Sequence, residues 1–262
     1  KPFFFWGWLI GEIKKKHPDV LFLAEAFTRP KIMNELAKQG FTQSYTYYTW
    51  RSSKQELTEY VEELTKSDQK EFYRPNFWPN TPDINPGHLQ HGNESIHLQR
   101  YFLAATLSSS IGIYGPVFEY QISTPLAPGK EEYLNSEKYE FFKWDWDKQN
   151  KITTVISRIN KIRNEHASLQ QTNNIDFCAT NNDKVMAYYK FDDEKQDETL
   201  MVASLDSNYT AQSMVLLPQE LLSKLPLKIT DLITGNSYIW EKEWNFVEIS
   251  PDLPCHLFKV ER

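Results

Sequence analysis

Helical and strand-like hydrophobic patterns alternate through the first two-thirds of the chain, and that alternation limits the possible folds more than any other feature. Phe5, Trp8, Leu9 and Ile13 follow helical spacing, Lys14, Lys15 and Lys16 crowd the end where cations complement the helix dipole, and Pro18 closes the segment. Residues 20–24 form a continuous apolar run, which predicts a strand buried on both faces as parallel strands are. The next helix has Pro30 in its first turn, Ile32, Met33, Leu36 and Ala37 on one face, and Gly40 as its C-terminal cap. A Thr- and Tyr-rich strand over 41–48 leads to a capping box, Ser53 with Glu56, and a helix bearing Leu57, Tyr60, Val61 and Leu64. Strands over 73–78 and 111–114 and helices over 96–107 and 152–164 complete the series. Strands and helices in this order form parallel β/α units. Four such units make half of a (β/α)8 barrel, and they also fit an open doubly wound sheet.

Beyond residue 169 the pattern changes to short strands separated by turn signals, over 185–191, 200–205, 213–217, 229–232, 237–240, 246–249 and 256–260, which predicts a small antiparallel β-sandwich. The expected organisation is therefore α/β, with the second half of a barrel over residues 1–168 and an all-β domain over 169–262. The 35 acidic and 29 basic residues leave a net charge of −6, no footprint for a polyanion, so nucleic acid is not an expected partner. No apolar run approaches the roughly 20 residues of a membrane span, and no secretory leader is recognisable. A soluble, cytoplasmic protein with no membrane partner is expected. Cys178 and Cys255 are too few for a disulfide scaffold and are expected to be reduced.

Working residues of parallel β/α folds sit at the C-terminal ends of strands, which singles out Glu25, directly after the LFLA run. A carboxyl among Phe22, Phe27 and nearby tryptophans suits a general acid, although pairing with Arg29 is an equally simple reading. Asp83 follows the third strand in FWPNTPDI, where Pro79 and Pro82 stiffen the loop and Asn80 places an amide beside the carboxylate. Two acids at neighbouring strand ends fit retaining glycosidic chemistry, which uses a nucleophilic carboxylate and an acid/base roughly 5 Å apart. Taken alone, Asp83 reads more simply as a turn or cap residue. Aromatic residues make up 15% of the chain and cluster between Trp50 and Trp146, which suggests sugar stacking.

The stretches FLAEAFTRPKIMNELAKQGFTQSYTYYTWR, FWPNTPDI, GIYGPVFE and NSEKYE, in this order and at these separations, resemble the α-1,4-glucan:maltose-1-phosphate maltosyltransferases of the α-amylase superfamily. The likeness continues through DLITGNSYIW. It implies that Glu25 is the proton donor and Asp83 the transition-state stabiliser. It also implies that Lys138 and Tyr139 contact maltose 1-phosphate and that Trp50 lies beside the donor site, with Asn80 as a further substrate-binding candidate. It implies no metal and no cofactor, α-maltose 1-phosphate and an α-1,4-glucan acceptor as substrates, and a homodimer for the full-length protein. The family's nucleophilic aspartate lies on the strand before the opening helix and is absent from these 262 residues. The chain is therefore expected to be a fragment, inactive alone.

Two rival expectations accompany this one: an α-amylase-type hydrolase or transglycosylase with the same carboxylates, and a catalytically silent glucan-binding module. His88, His91 and His97 are expected to lie in a solvated loop rather than to bind metal, and the WDWD run at 144–147 to pack at a helix entry. In the β-domain only Tyr238, Trp240 and Trp244 offer an aromatic platform, so its role is expected to be structural.

Overall fold

The computed structural model describes residues 1–261. The alternating part runs α1 (Phe3–Lys16), β1 (Leu23–Ala24), α2 (Pro30–Lys38), β2 (Gln43–Tyr45), a 3-10 turn (Tyr47–Trp50), α3 (Lys54–Lys66), β3 (Pro75–Phe77), α4 (Gly87–Gln90), α5 (Glu94–Leu107), β4 (Ser110–Ile111), α6 (Gly115–Glu119) and α7 (Lys151–Glu165). The four strands pair in parallel in chain order, β1-β2-β3-β4. A sheet that advances one strand at a time in one direction is how a barrel is wound; a doubly wound sheet reverses direction at a switch point.

Helix ends follow the signals in the sequence. Ser53 accepts from the Glu56 N–H at 3.2 Å while Glu56 accepts from the Ser53 N–H at 3.0 Å, closing the predicted box. Asn150 and Thr153 form a second box at the start of α7. Gly40 adopts φ +100° just beyond α2, a left-handed geometry that costs a glycine nothing.

The strands are shorter than their apolar runs. Residues 20–24 contribute only Leu23 and Ala24 to the sheet, and Val20, Leu21 and Leu23 are exposed, so the expectation of burial on both faces is corrected. The physical reason is position: β1 is an edge strand paired only with β2, and no neighbour covers its outer side. The predicted strand over 41–48 stops at Tyr45, where the chain tightens into the 3-10 turn.

The second part is all antiparallel: β5 (Ile175–Cys178), β6 (Val185–Phe191), β7 (Glu198–Ser204), β8 (Ala211–Leu216), the short helix α8 (Gln219–Leu222), β9 (Leu227–Asp231), β10 (Ser237–Trp240), β11 (Trp244–Ile249) and β12 (Cys255–Glu261). A six-stranded sheet, β10-β9-β12-β7-β6-β5, is faced by the hairpin-like pair β11-β8. Strand periodicity sends Val185, Ala187, Leu200 and Val202 to the core beneath β8 and β11, and their neighbours Met186, Tyr188, Met201 and Ala203 to the opposite face, against the helices. That second core joins the two parts. α5 is buried around nearly its whole circumference, and two of its polar side chains find partners across the junction: Gln99 donates to the Ser204 carbonyl at 2.6 Å, and the Thr106 and Tyr188 hydroxyls bond at 2.5 Å. Both cysteines are free and buried.

Candidate active site

The C-terminal ends of β1 to β4 and the loops after them carry every candidate residue. Glu25 directly follows β1 and is exposed, at the wall of an apolar cavity of about 380 Å³ with Trp6, Leu23, Leu36 and Phe41. Its charge is felt one strand over: burial first, then the Glu25 carboxylate, push the Tyr45 hydroxyl up to about 12. Tyr45 stacks on Trp78 with centroids 4.8 Å apart, so an aromatic pair lies between the strand that carries Glu25 and the loop that carries Asp83. Trp78 in turn needs Gly112, just after β4, because a Cβ there would come within 2.2 Å of the indole.

The loops are laced to one another. Asn80 is buried, donates to the Tyr133 hydroxyl at 2.9 Å and accepts from the Tyr114 N–H at 3.0 Å, so its amide braces the loops after β3 and β4. Asp83 projects outward and forms an ion pair with Lys138. Asp83, Lys138 and Tyr139, with Pro82, Leu134 and Ser136, line one cavity of about 190 Å³. Tyr139 is 85% exposed. Trp50 ends the 3-10 turn after β2, meets the edge of Phe27 at 4.9 Å and donates through Nε1 to Glu131 Oε1 at 2.6 Å.

The structure thus brings Asp83, Lys138 and Tyr139 together. It sets Glu25 in a separate cavity and leaves Trp50 and Asn80 outside both. Lys138, which on sequence alone reads as a solvated charge, is paired instead. The histidines also depart from expectation: only His91 is exposed, whereas His97 is buried in α5 and bonded to the Asn93 carbonyl at 2.9 Å. His88 is largely enclosed; burial, then the charges of Arg100 and His97, depress its pKa to about 3. Among the described residues no three His, Cys, Asp or Glu side chains converge as metal ligands, and no helix is long and apolar enough to cross a membrane. In the WDWD run Trp144 stacks between Tyr120 and Phe142 while Trp146 stays 74% exposed. In the β-domain Trp240 is buried against Phe258, which removes one ring from the platform considered above.

Sequence reasoning missed Tyr45, Glu131 and Tyr133. All three make contacts between segments distant in sequence, and no local spacing signals them.

Compared with known proteins, residues 177–260 match the family model described as GLGE, C-terminal. The α-1,4-glucan:maltose-1-phosphate maltosyltransferase of Methylacidiphilum infernorum is 48% identical over 270 residues, covering 100% of this chain and 40% of the relative. Its counterpart from Chlorobaculum tepidum is 45% identical, covering 99% and 40%, and that from Salinibacter ruber is 41% identical, covering 100% and 39%. Over its whole length the chain is similar to part of these relatives, and the match to the C-terminal family model fits their C-terminal portion. It spans about 40% of the length of these curated relatives. In fold it resembles the α-amylase of Geobacillus thermoleovorans, with a TM-score of 0.72 at 15% identity over 100% of this chain and 57% of that one. The Anoxybacillus α-amylase gives 0.72 at 13% identity, over 99% and 56%. Both support the half-barrel followed by an antiparallel β-domain.

Proposed function

We propose that this chain supplies the acid/base and donor-binding half of a retaining maltosyltransferase that moves maltosyl units from α-maltose 1-phosphate to the non-reducing end of α-1,4-glucans. The observation that carries the reading is the convergence of Asp83, Lys138 and Tyr139 on one cavity at the C-terminal end of the parallel sheet, in a chain similar throughout to curated maltosyltransferases. In this scheme a carboxylate from outside these 262 residues attacks the anomeric carbon. The bond to the phosphate oxygen breaks, and Glu25 gives its proton to the departing phosphate. Asp83 stabilises the positive charge developing on the sugar, and Lys138 offers up to three donors to hydroxyl or phosphate oxygens. Glu25, now ionised, takes the proton from the acceptor's 4-hydroxyl as that oxygen displaces the enzyme carboxylate. Two inversions retain the α configuration.

The same reading divides the chain at residues 168/169 into barrel half and β-domain, and places the full-length protein in the cytoplasm as a homodimer. The ion pair supports an arrangement in which Asp83 and Lys138 exchange each other for substrate, since both side chains are nearly half exposed and release into water costs little.

The test is phosphate release from α-maltose 1-phosphate with a maltooligosaccharide acceptor. The 262-residue chain is compared with a version extended to the length of its relatives. Phosphate release with acceptor chains lengthened by two glucose units, abolished by Glu25→Gln, is the expected result. A folded extended chain that leaves this donor intact would overturn it, and release of maltose to water without lengthening would move the assignment to a hydrolase.

A further inference from the structure

We infer that Glu131 is a positioning residue that fixes the indole of Trp50, the ring that the family resemblance sets beside the donor. The inference rests on the maltosyltransferase reading and assigns a role to a carboxylate that the reading leaves unused. Glu131 is half-buried, and its Oε1 accepts the hydrogen bond of Trp50 Nε1 at 2.6 Å. An indole has a single donor, so this bond sets the rotation of the ring within its own plane, and a charged acceptor makes the bond stronger than a neutral one. Phe27 approaches the same ring edge-on at 4.9 Å and 85°, which restrains its tilt. Two contacts from different loops therefore fix an otherwise swivelling side chain.

The carboxylate can do this because its own backbone is pinned. The Glu131 carbonyl accepts from the Asn85 N–H at 2.6 Å, and its segment is closed like a hairpin, with the Leu126 N–H bonded to the Glu132 carbonyl at 2.7 Å and the Leu134 N–H to the Thr124 carbonyl at 2.9 Å. Lys138 lies further along the same segment and reaches Asp83. One loop thus orients Trp50 at one end and presents Lys138 at the other, with Asn85 of the Asp83 loop as its anchor.

The test has two arms. In the 262-residue chain labelled with 5-fluorotryptophan, the Trp50 resonance is assigned by its loss in Trp50→Phe. It is expected to shift and broaden in Glu131→Leu and to stay near its original position in Glu131→Gln, whose amide oxygen still accepts. In the extended chain Glu131→Leu is expected to raise the donor KM about tenfold with little change in kcat, Glu131→Gln to recover most of that loss, and Glu131→Leu to add little in a Trp50→Phe background. A Glu131→Leu enzyme with unchanged donor KM, or an equal KM increase with and without the Trp50 indole, would overturn the inference. Wild-type extended chain that never uses the donor would remove the reading beneath it, and the fluorine spectra would still show separately whether the contact exists.

Discussion

Lys138 Nζ pairs with Asp83 Oδ1 across the loops after β4 and β3, so the cation expected to meet the donor is held by the carboxylate expected to stabilise the transition state. Both side chains are nearly half in water, and an exposed pair of this kind contributes at most about 1 kcal/mol to stability. Lys138→Met in the extended enzyme is therefore expected to leave the thermal midpoint almost unchanged while raising the donor KM about tenfold or more. Asp83→Asn is expected to lower kcat by about a hundredfold or more. Thermal melts beside initial rates of phosphate release check both, and a large loss of midpoint in Lys138→Met would show the lysine to be structural.

Arg100 is expected to be among the most costly residues to replace. Its guanidinium lies inside the protein 4.0 Å from the Tyr48 ring and donates to the carbonyls of Tyr48 at 2.6 Å and Arg51 at 2.7 Å, while the Tyr48 hydroxyl donates back to the Arg100 carbonyl at 2.5 Å. These bonds hold the 3-10 turn that ends in Trp50. Arg100→Met takes a charged donor from both carbonyls, of which that of Tyr48 keeps only the Arg51 N–H at 3.1 Å, and is expected to cost about 2–4 kcal/mol in urea unfolding. Arg100→Lys should recover only part of it, because an ammonium cannot reproduce the planar fork. A loss below about 1 kcal/mol for Arg100→Met would mean that water or a neighbour replaces the bonds.

The contrast between these two residues shows what a sequence can reveal. The four β/α units are legible because periodicity and caps are local: Ser53 and Glu56, Gly40, and the apolar faces of α2 and α3 each announce themselves within a few residues. The extent of β1 is not, since an apolar run cannot say whether a neighbouring strand covers it. Glu25 and Asp83 stand out by their place after strands. The Asp83–Lys138 pair, the Trp50–Glu131 bond and the Arg100 clamp join segments far apart in sequence through irregular loops, and Arg100 sits in a helix with nothing to distinguish it from a solvated charge. β5 escaped notice because Ile175–Cys178 is only four residues long and alternates weakly.

The β-domain carries a pH-sensitive contact in His256 and Asp231, 3.0 Å apart. Burial opposes the charge on His256, but the Asp231 hydrogen bond, the Glu248 carbonyl and the Asp231 charge outweigh it, and the folded pKa is raised. Burial likewise opposes ionisation of Asp231, yet the bond and charge of His256 and the donors of Ile233 and Thr234 hold its pKa below the usual value. A raised histidine stabilises fully below its unfolded value of about 6.5 and loses that contribution as pH rises through the folded pKa. A lowered aspartate stabilises above its unfolded value of about 3.9 and loses it as pH falls through the folded pKa. The pair is therefore expected to stabilise most between about pH 4 and 6.5 and to weaken above that window. His256→Asn should flatten the decline in unfolding free energy between pH 6.5 and 8, and an unchanged slope would assign the decline to other groups.

The outer side of β1 makes the last prediction. Leu23 is exposed on an edge strand whose backbone pairs on one side only, Val20 and Leu21 are exposed in the segment that leads into it, and Phe4 and Trp8 of α1 are exposed at 76% and 60%. An unpaired edge beside apolar side chains is a template for association with another strand or another copy. The 262-residue chain is therefore expected to self-associate at micromolar concentration, with sedimentation velocity reporting species larger than its 30.9 kDa mass. Leu21→Lys with Leu23→Lys places two charges at that edge and is expected to shift the distribution toward monomer. Association that persists in the double variant would move the contact surface elsewhere, and the exposed rings of α1 would be the next to replace.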